Sequence, residues 1–118
     1  MRRNLLATAV LLGLALLQIG CSTARRGEAL GMPVALGTPA EARGQQVFMQ
    51  HCQQCHPGGA GGLGPALNDK PLPGFMIRLQ VRNGLGAMPA FSERQIAPAE
   101  LDDLIAYLKA LRRAGRDA

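Results

Sequence analysis

The chain is 118 residues long, enough for one domain and no more. Thirteen Lys and Arg against eight Asp and Glu give a formal net charge of +5, a surplus that permits weak steering toward an acidic partner. The basic residues are scattered, tryptophan is absent and there is a single tyrosine, so the charge stripe and stacking platforms of a nucleic-acid binder are missing.

The N-terminus reads "MRRNLLATAVLLGLALLQIGC". Two arginines, an apolar run from Leu5 to Leu17 and a small residue before Cys21 describe an export signal, in a run too short to span a bilayer comfortably. The alternative is an uncleaved membrane anchor. The boundary "LQIGC" resembles the lipobox of bacterial lipoproteins, although Gln18 stands where that pattern usually has leucine. The resemblance implies a signal peptide over residues 1–20 and acylation of Cys21. Diacylglycerol with an amide-linked chain would then anchor the protein firmly, each buried methylene contributing roughly 0.8 kcal/mol. The competing reading has Cys21 removed by cleavage near Ala24. Loss of Arg2 and Arg3 with the signal leaves eleven Lys and Arg against eight Asp and Glu, a net +3.

Residues 21–37, rich in Gly, Pro, Arg and Ala without a sustained period, read as a flexible tether whose sixteen residues after Cys21 have ends roughly 20 to 25 Å apart. "TPAE", Thr38 to Glu41, is a helix start with Thr38 as N-cap, Pro39 at the first position and Glu41 closing a capping box. That helix is predicted to reach about His51. Gly44 within it costs about 1 kcal/mol against alanine; it marks a close helix crossing or is simply tolerated. After "HCQQCH" comes a long Gly/Pro-rich loop, then a short helix over Phe75–Asn83 closed by Gly84. The loop "GLGAMPAFSERQIA" leads to a last helix from about Pro98. In it Leu101, Leu104, Ile105, Leu108 and Leu111 form one apolar stripe, Asp102 and Asp103 read as a solvated face, and Arg112 and Arg113 suit the C-terminal end. Residues 114–118 read as a frayed tail. No internal repeat and no convincing strand is found, so the fold class is all-α.

Two cysteines and both histidines lie in "HCQQCH". C-x-x-C-H, here Cys52, Cys55 and His56, is a c-type haem attachment signal. Two thiols three residues apart on a helical turn can each add to one porphyrin vinyl group, and the adjoining imidazole can ligate the iron. A covalent cofactor also supplies apolar bulk to a domain too small to build much core alone. A redox dithiol wants a βαβ context, structural zinc wants four ligands from paired motifs, and a Cys52–Cys55 disulfide would close too small a loop to stabilise much. For a sixth iron ligand, Met32 lies in the tether, Met49 one turn before Cys52, and Met76 among apolar helix residues that suggest core packing. Met88 sits between glycines that allow close approach and Pro89, which holds it extended. A thioether opposite histidine favours reduced iron and raises the potential.

Gly44 and Phe48, "CQQCH", "GPAL", "AMPAF" and "AYL" occur in order between Thr38 and Arg113, and in them the chain resembles the class I cytochrome c family. The resemblance implies a domain over residues 38–113 with about three main helices and long loops around one covalent haem c. It implies Cys52 and Cys55 as thioether attachments, His56 as proximal and Met88 as distal ligand, and Pro65 as the carbonyl accepting the His56 Nδ1 proton. Gly44 and Phe48 would pack across the last helix near Tyr107 and Leu108, and His51 becomes a surface or haem-edge residue.

The sequence reading is therefore an exported single-electron carrier on the periplasmic side, tethered to a membrane through Cys21, with redox proteins as partners and no small-molecule substrate. No catalytic triad and no free reactive thiol is found. The alternatives are a haem-bearing subunit of a membrane-associated oxidoreductase complex, or a redox or gas sensor in which Met88 leaves the iron open.

Overall fold

The computed structural model describes residues 33–117. The signal segment, Cys21 and residues 22–32 of the tether lie outside the described residues. Within them the chain forms α1 (Pro39–His51), α2 (Gly74–Asn83) and α3 (Pro98–Asp117), with a single tight turn at Pro57–Gly59. The described residues contain no strand, only an isolated bridge between Leu85 and Met88. The fold is all-α.

Thr38 is extended (φ −138°, ψ 153°) and caps α1, its hydroxyl oxygen accepting from the Glu41 N–H at 3.2 Å. The other half of the expected capping box forms differently. Glu41 Oε2 accepts from the Gly37 N–H at 2.7 Å and Oε1 accepts from Arg113 Nη2 at 2.7 Å. Glu41 is buried, and a buried carboxylate needs a cationic partner as well as a backbone donor. Arg113 is that partner, so the pair ties the start of α1 to the end of α3. Arg112 is used similarly. It reaches the carbonyls of Lys70 and Leu72 at 2.8 and 2.7 Å, holding down the long loop rather than simply complementing the helix end.

The central contact is the crossing of α1 and α3. A Cβ on Gly44 would lie 1.9 Å from the Asp103 carbonyl oxygen and 2.9 Å from Leu104 N, so only glycine lets the two backbones touch. This level is one turn before Tyr107 and Leu108, where the resemblance placed Gly44. Phe48, a turn further along α1, does meet Tyr107, with ring centroids 5.3 Å apart and planes inclined at 56°. Asp103 is not a solvated residue: both its oxygens take the Arg43 guanidinium, at 2.7 and 3.0 Å, beside the crossing. Asp102 pairs with Arg78 of α2.

The apolar stripe of α3 is buried as its spacing predicted, together with Tyr107, against Val47, Phe48, Ile77, Val81 and Ile96. From α2 only Ile77 and Val81, four residues apart, enter this core. Met76 does not; it is 43% exposed on another side of α2, near Phe75 and Leu79. Ordered packing is also found on either side of residues 38–113. Val34 and Leu36 pack against the core, and α3 continues to Asp117. The tail stays helical because it has something to cover: a Cβ on Gly115 would lie 2.7 Å from the Asn68 carbonyl oxygen.

Two outcomes follow from these contacts. Gly44→Ala forces α1 and α3 apart and lowers the unfolding free energy by about 3 kcal/mol, the upper part of the overpacking range, as read by denaturant titration of the holoprotein. The hydrogen bond from Arg113, then that from Gly37, holds the Glu41 carboxyl below its ordinary value of 4.5. A depressed pKa contributes stability that is present above 4.5 and lost as pH falls through the lower folded value. The stability gap between wild type and Glu41→Gln should thus be full near neutrality and close on acidification.

Candidate haem site

α1 ends at His51, and Cys52 caps it, its N–H donating to the Phe48 carbonyl at 2.8 Å. The motif itself lies on one further turn. The N–H groups of Cys55 and His56 both donate to the Cys52 carbonyl, at 3.1 and 2.9 Å, which sets the two thiols one turn apart. His56 then leaves helical geometry (φ −124°, ψ 66°), because the ring of Pro57 disfavours the α region for the residue before it.

His56 is buried, and its Nδ1 lies 2.8 Å from the Pro65 carbonyl oxygen. A carbonyl can only accept, so Nδ1 is the donor, and in the neutral ring Nε2 is the nitrogen that keeps a lone pair. This is the tautomer a metal-ligating imidazole requires. The loop achieves it by lying flat on the ring: a Cβ on Gly64 would be 2.2 Å from Cε1 and 2.8 Å from Nε2. Gly64 N–H donates to the Cys55 carbonyl at 2.9 Å, and Gln53 Oε1 accepts from Gly58 N–H at 2.8 Å. Two residues of the motif thereby brace the loop that orients its histidine.

The thiol chemistry separates the rival readings. Burial, then the neighbouring Cys55, pushes the Cys52 thiol up to about 11. It is almost wholly protonated at neutral pH, the reverse of the activated thiolate that a redox dithiol needs. Both cysteines are free of disulfide. Among the described residues no group of three His, Cys, Asp or Glu side chains is placed to hold a metal ion.

Met88 lies in a tight turn after α2. Leu85 N–H donates to the Met88 carbonyl at 3.1 Å, and Met88 N–H to the Leu85 carbonyl at 3.0 Å. Gly84 has φ +69°, and a Cβ there would come within 2.5 Å of the Met88 carbonyl oxygen, so this turn requires glycine. Met88 is half-buried against the core, as are Cys52, Leu67 and Phe91. Gln80 Nε2 donates to the Met88 sulfur at 3.9 Å. The Phe91 N–H donates to the Val81 carbonyl at 2.9 Å, and the Phe91 carbonyl accepts from Arg82 Nη1 at 3.0 Å. His51 stands with its ring edge-on to Phe91, centroids 5.7 Å apart; it is part of the join between the motif and the Met88 segment.

These residues fit a covalent haem. The motif presents two thiols free of disulfide and a buried imidazole whose Nδ1 is held by the Pro65 carbonyl. Large apolar side chains of the neighbouring segments, Leu63, Phe75, Met76, Leu79 and Leu85, are left exposed, a surface that a flat apolar group would cover. Sequence reasoning quoted Gly64 within "GPAL" without giving it a role, and it missed Gln80, Arg82 and the contact between His51 and Phe91. Gln80 and Arg82 carry no signal in the sequence beyond being polar side chains within a short helix.

Fold and site together define a small helical electron-transfer domain built on a thiol-anchored haem. A family model described as cytochrome C oxidase, cbb3-type, subunit III matches residues 39–108, more than half of the chain. The chain is similar to a cytochrome c6 of Bryopsis maxima, 39% identical over 75 residues covering 55% of this chain and 84% of that one. It is 36% identical over 93 residues to a cytochrome c6 of Picosynechococcus sp., covering 63% and 79%. It is also 35% identical over 68 residues to the cytochrome c subunit of 4-cresol dehydrogenase [hydroxylating] of Pseudomonas putida, covering 58% and 59%. No solved structure gives a significant match. The chain belongs to the c-type cytochrome family. It carries one covalent haem c and works as an electron carrier.

Gly64→Ala places a methyl group into the His56 ring. The expected result is a several-fold drop in haem per polypeptide, measured by pyridine haemochrome absorbance against total protein.

Proposed function

We propose that this cytochrome is an exported one-electron shuttle with His56 Nε2 and Met88 Sδ as its axial iron ligands. Cys52 and Cys55 would form the thioethers, and Pro65 would hold the imidazole by its carbonyl. The observation that carries the reading is the 2.8 Å contact from His56 Nδ1 to the Pro65 carbonyl, because it leaves Nε2 as a ready ligand. Bound haem supplies the one-electron couple of its iron. The chain's own part is to fix both ligands and keep water off them. A neutral thioether opposite histidine stabilises the reduced state and raises the potential.

Cys21 is the proposed lipid attachment, with residues 1–20 removed as a signal peptide and the haem domain held on the periplasmic side of a membrane. The support is "LQIGC" and the apolar run before it. No helix among the described residues is long and apolar enough to cross a membrane. The partners are redox proteins that donate and accept single electrons.

A second reading, a haem-bearing subunit of an oxidoreductase complex, is favoured by the wording of the family description and by the likeness to a dehydrogenase subunit. A sensor with an open iron is less well supported, since Met88 is confined by its turn and by Gln80.

Oxidised wild-type protein should show the weak sulfur-to-iron absorption band, and Met88→Ala should abolish it while keeping covalent haem; a band that survives refutes Met88 as ligand. Intact-mass analysis of the mature N-terminus should find an acylated Cys21. An unmodified Cys21, or a start downstream of it, removes the anchor. A protein that purifies as a stoichiometric complex with a catalytic chain favours the subunit reading.

A further inference from the structure

We propose that Arg82 is a positioning residue for the distal ligand: it fastens the segment after Met88 to α2 through the Phe91 carbonyl and so keeps the thioether on the iron. This rests on the His56/Met88 ligation proposed above.

A thioether is a weak neutral ligand, and Met88 sits in a loop of fourteen residues, Gly84 to Ala97. How firmly it binds depends on how well that loop is confined, because any freedom left to the loop favours detachment. Before Met88 the confinement is local, in the turn from Leu85. After it Pro89 has no N–H to donate. The chain next meets the body of the protein at Phe91, where three contacts converge. Its N–H donates to Val81 at 2.9 Å, its carbonyl accepts from Arg82 Nη1 at 3.0 Å, and its ring faces the edge of His51 at 5.7 Å.

Arg82 is the side chain that hydrogen-bonds the Phe91 carbonyl, and one residue on, Gln95 Oε1 accepts from the Ser92 N–H at 2.9 Å within the loop itself. Unlike Arg43, Arg78 and Arg113, Arg82 forms no ion pair with a carboxylate among the described residues. Its guanidinium is half-buried and donates to a carbonyl, and a charged donor of this kind makes a stronger bond than a neutral one. Gln80, two residues earlier, reaches the Met88 sulfur itself at 3.9 Å. α2 therefore grips the ligand segment at Met88 and again three residues beyond it.

Imidazole competes with a loosely held thioether for ferric iron, so its affinity reports how firmly Met88 is bound. In oxidised full-length holoprotein, Arg82→Leu should bind imidazole roughly tenfold more tightly than wild type, the effect of losing one charge-assisted hydrogen bond. Its sulfur-to-iron band should bleach at correspondingly lower imidazole. Arg82→Lys, which keeps a charged donor, should recover much of the wild-type behaviour. If Arg82→Leu does not accumulate as holoprotein, Arg82→Gln, a shorter neutral donor, should show a smaller shift in the same direction. Imidazole affinity equal to wild type in the Leu and Gln variants overturns the proposal, and a lowered denaturation midpoint alone would mark a merely structural role. Absence of the band from wild type would instead defeat the ligation reading, and this proposal with it.

Discussion

Everything else in the domain depends on the backbone contact at Gly44. Because no Cβ intervenes, α1 lies directly on the Asp103–Leu104 peptide of α3. That closeness brings Phe48 onto Tyr107 and lets Arg43 close on Asp103. Such an interface is stiff: close-packed helices have few alternative arrangements. Stiffness matters because α1 ends one residue before Cys52. The crossing therefore fixes where the haem-bearing turn emerges.

Charged groups reinforce the crossing at its margins. Glu41 with Arg113 ties the start of α1 to the end of α3, and Arg78 with Asp102 ties α2 to the start of α3. Exposed ion pairs of this kind contribute little individually. The buried Glu41 differs, since without Arg113 its charge would be left uncompensated. These pairs set the relative placement of three helices that share only a modest core.

The site is built mainly from loops, and its order comes from main-chain groups. The Pro65 carbonyl sets the imidazole tautomer, Gly64 presses against the ring, and the turn at Gly84 shapes the Met88 segment. A haem domain of this size cannot surround its cofactor with regular structure. It uses glycines where backbone must approach closely, and helices where a loop must be anchored. For an electron carrier this is a physical requirement: ligands that move little between oxidation states keep the reorganisation small.

The sequence by itself determined what local chemistry determines. The cap at Thr38, the stop at Gly84, the stripe of α3 and the spacing of Cys52, Cys55 and His56 depend on neighbours within about a turn, so they are legible without coordinates. Family resemblance added the pairing of His56 with Pro65, which no periodicity could have supplied. Cys21 rests on sequence alone. Tertiary structure decided the long-range partners. It turned Glu41 toward Gly37 and Arg113, made Asp103 a clamp, moved Met76 out of the core, packed Val34 against that core and carried α3 to Asp117. It also brought Arg82 and His51 to Phe91. The reason is the same in each case: a polar or flexible side chain has many acceptable partners along the chain, and only the packing of the helices decides which one is within reach.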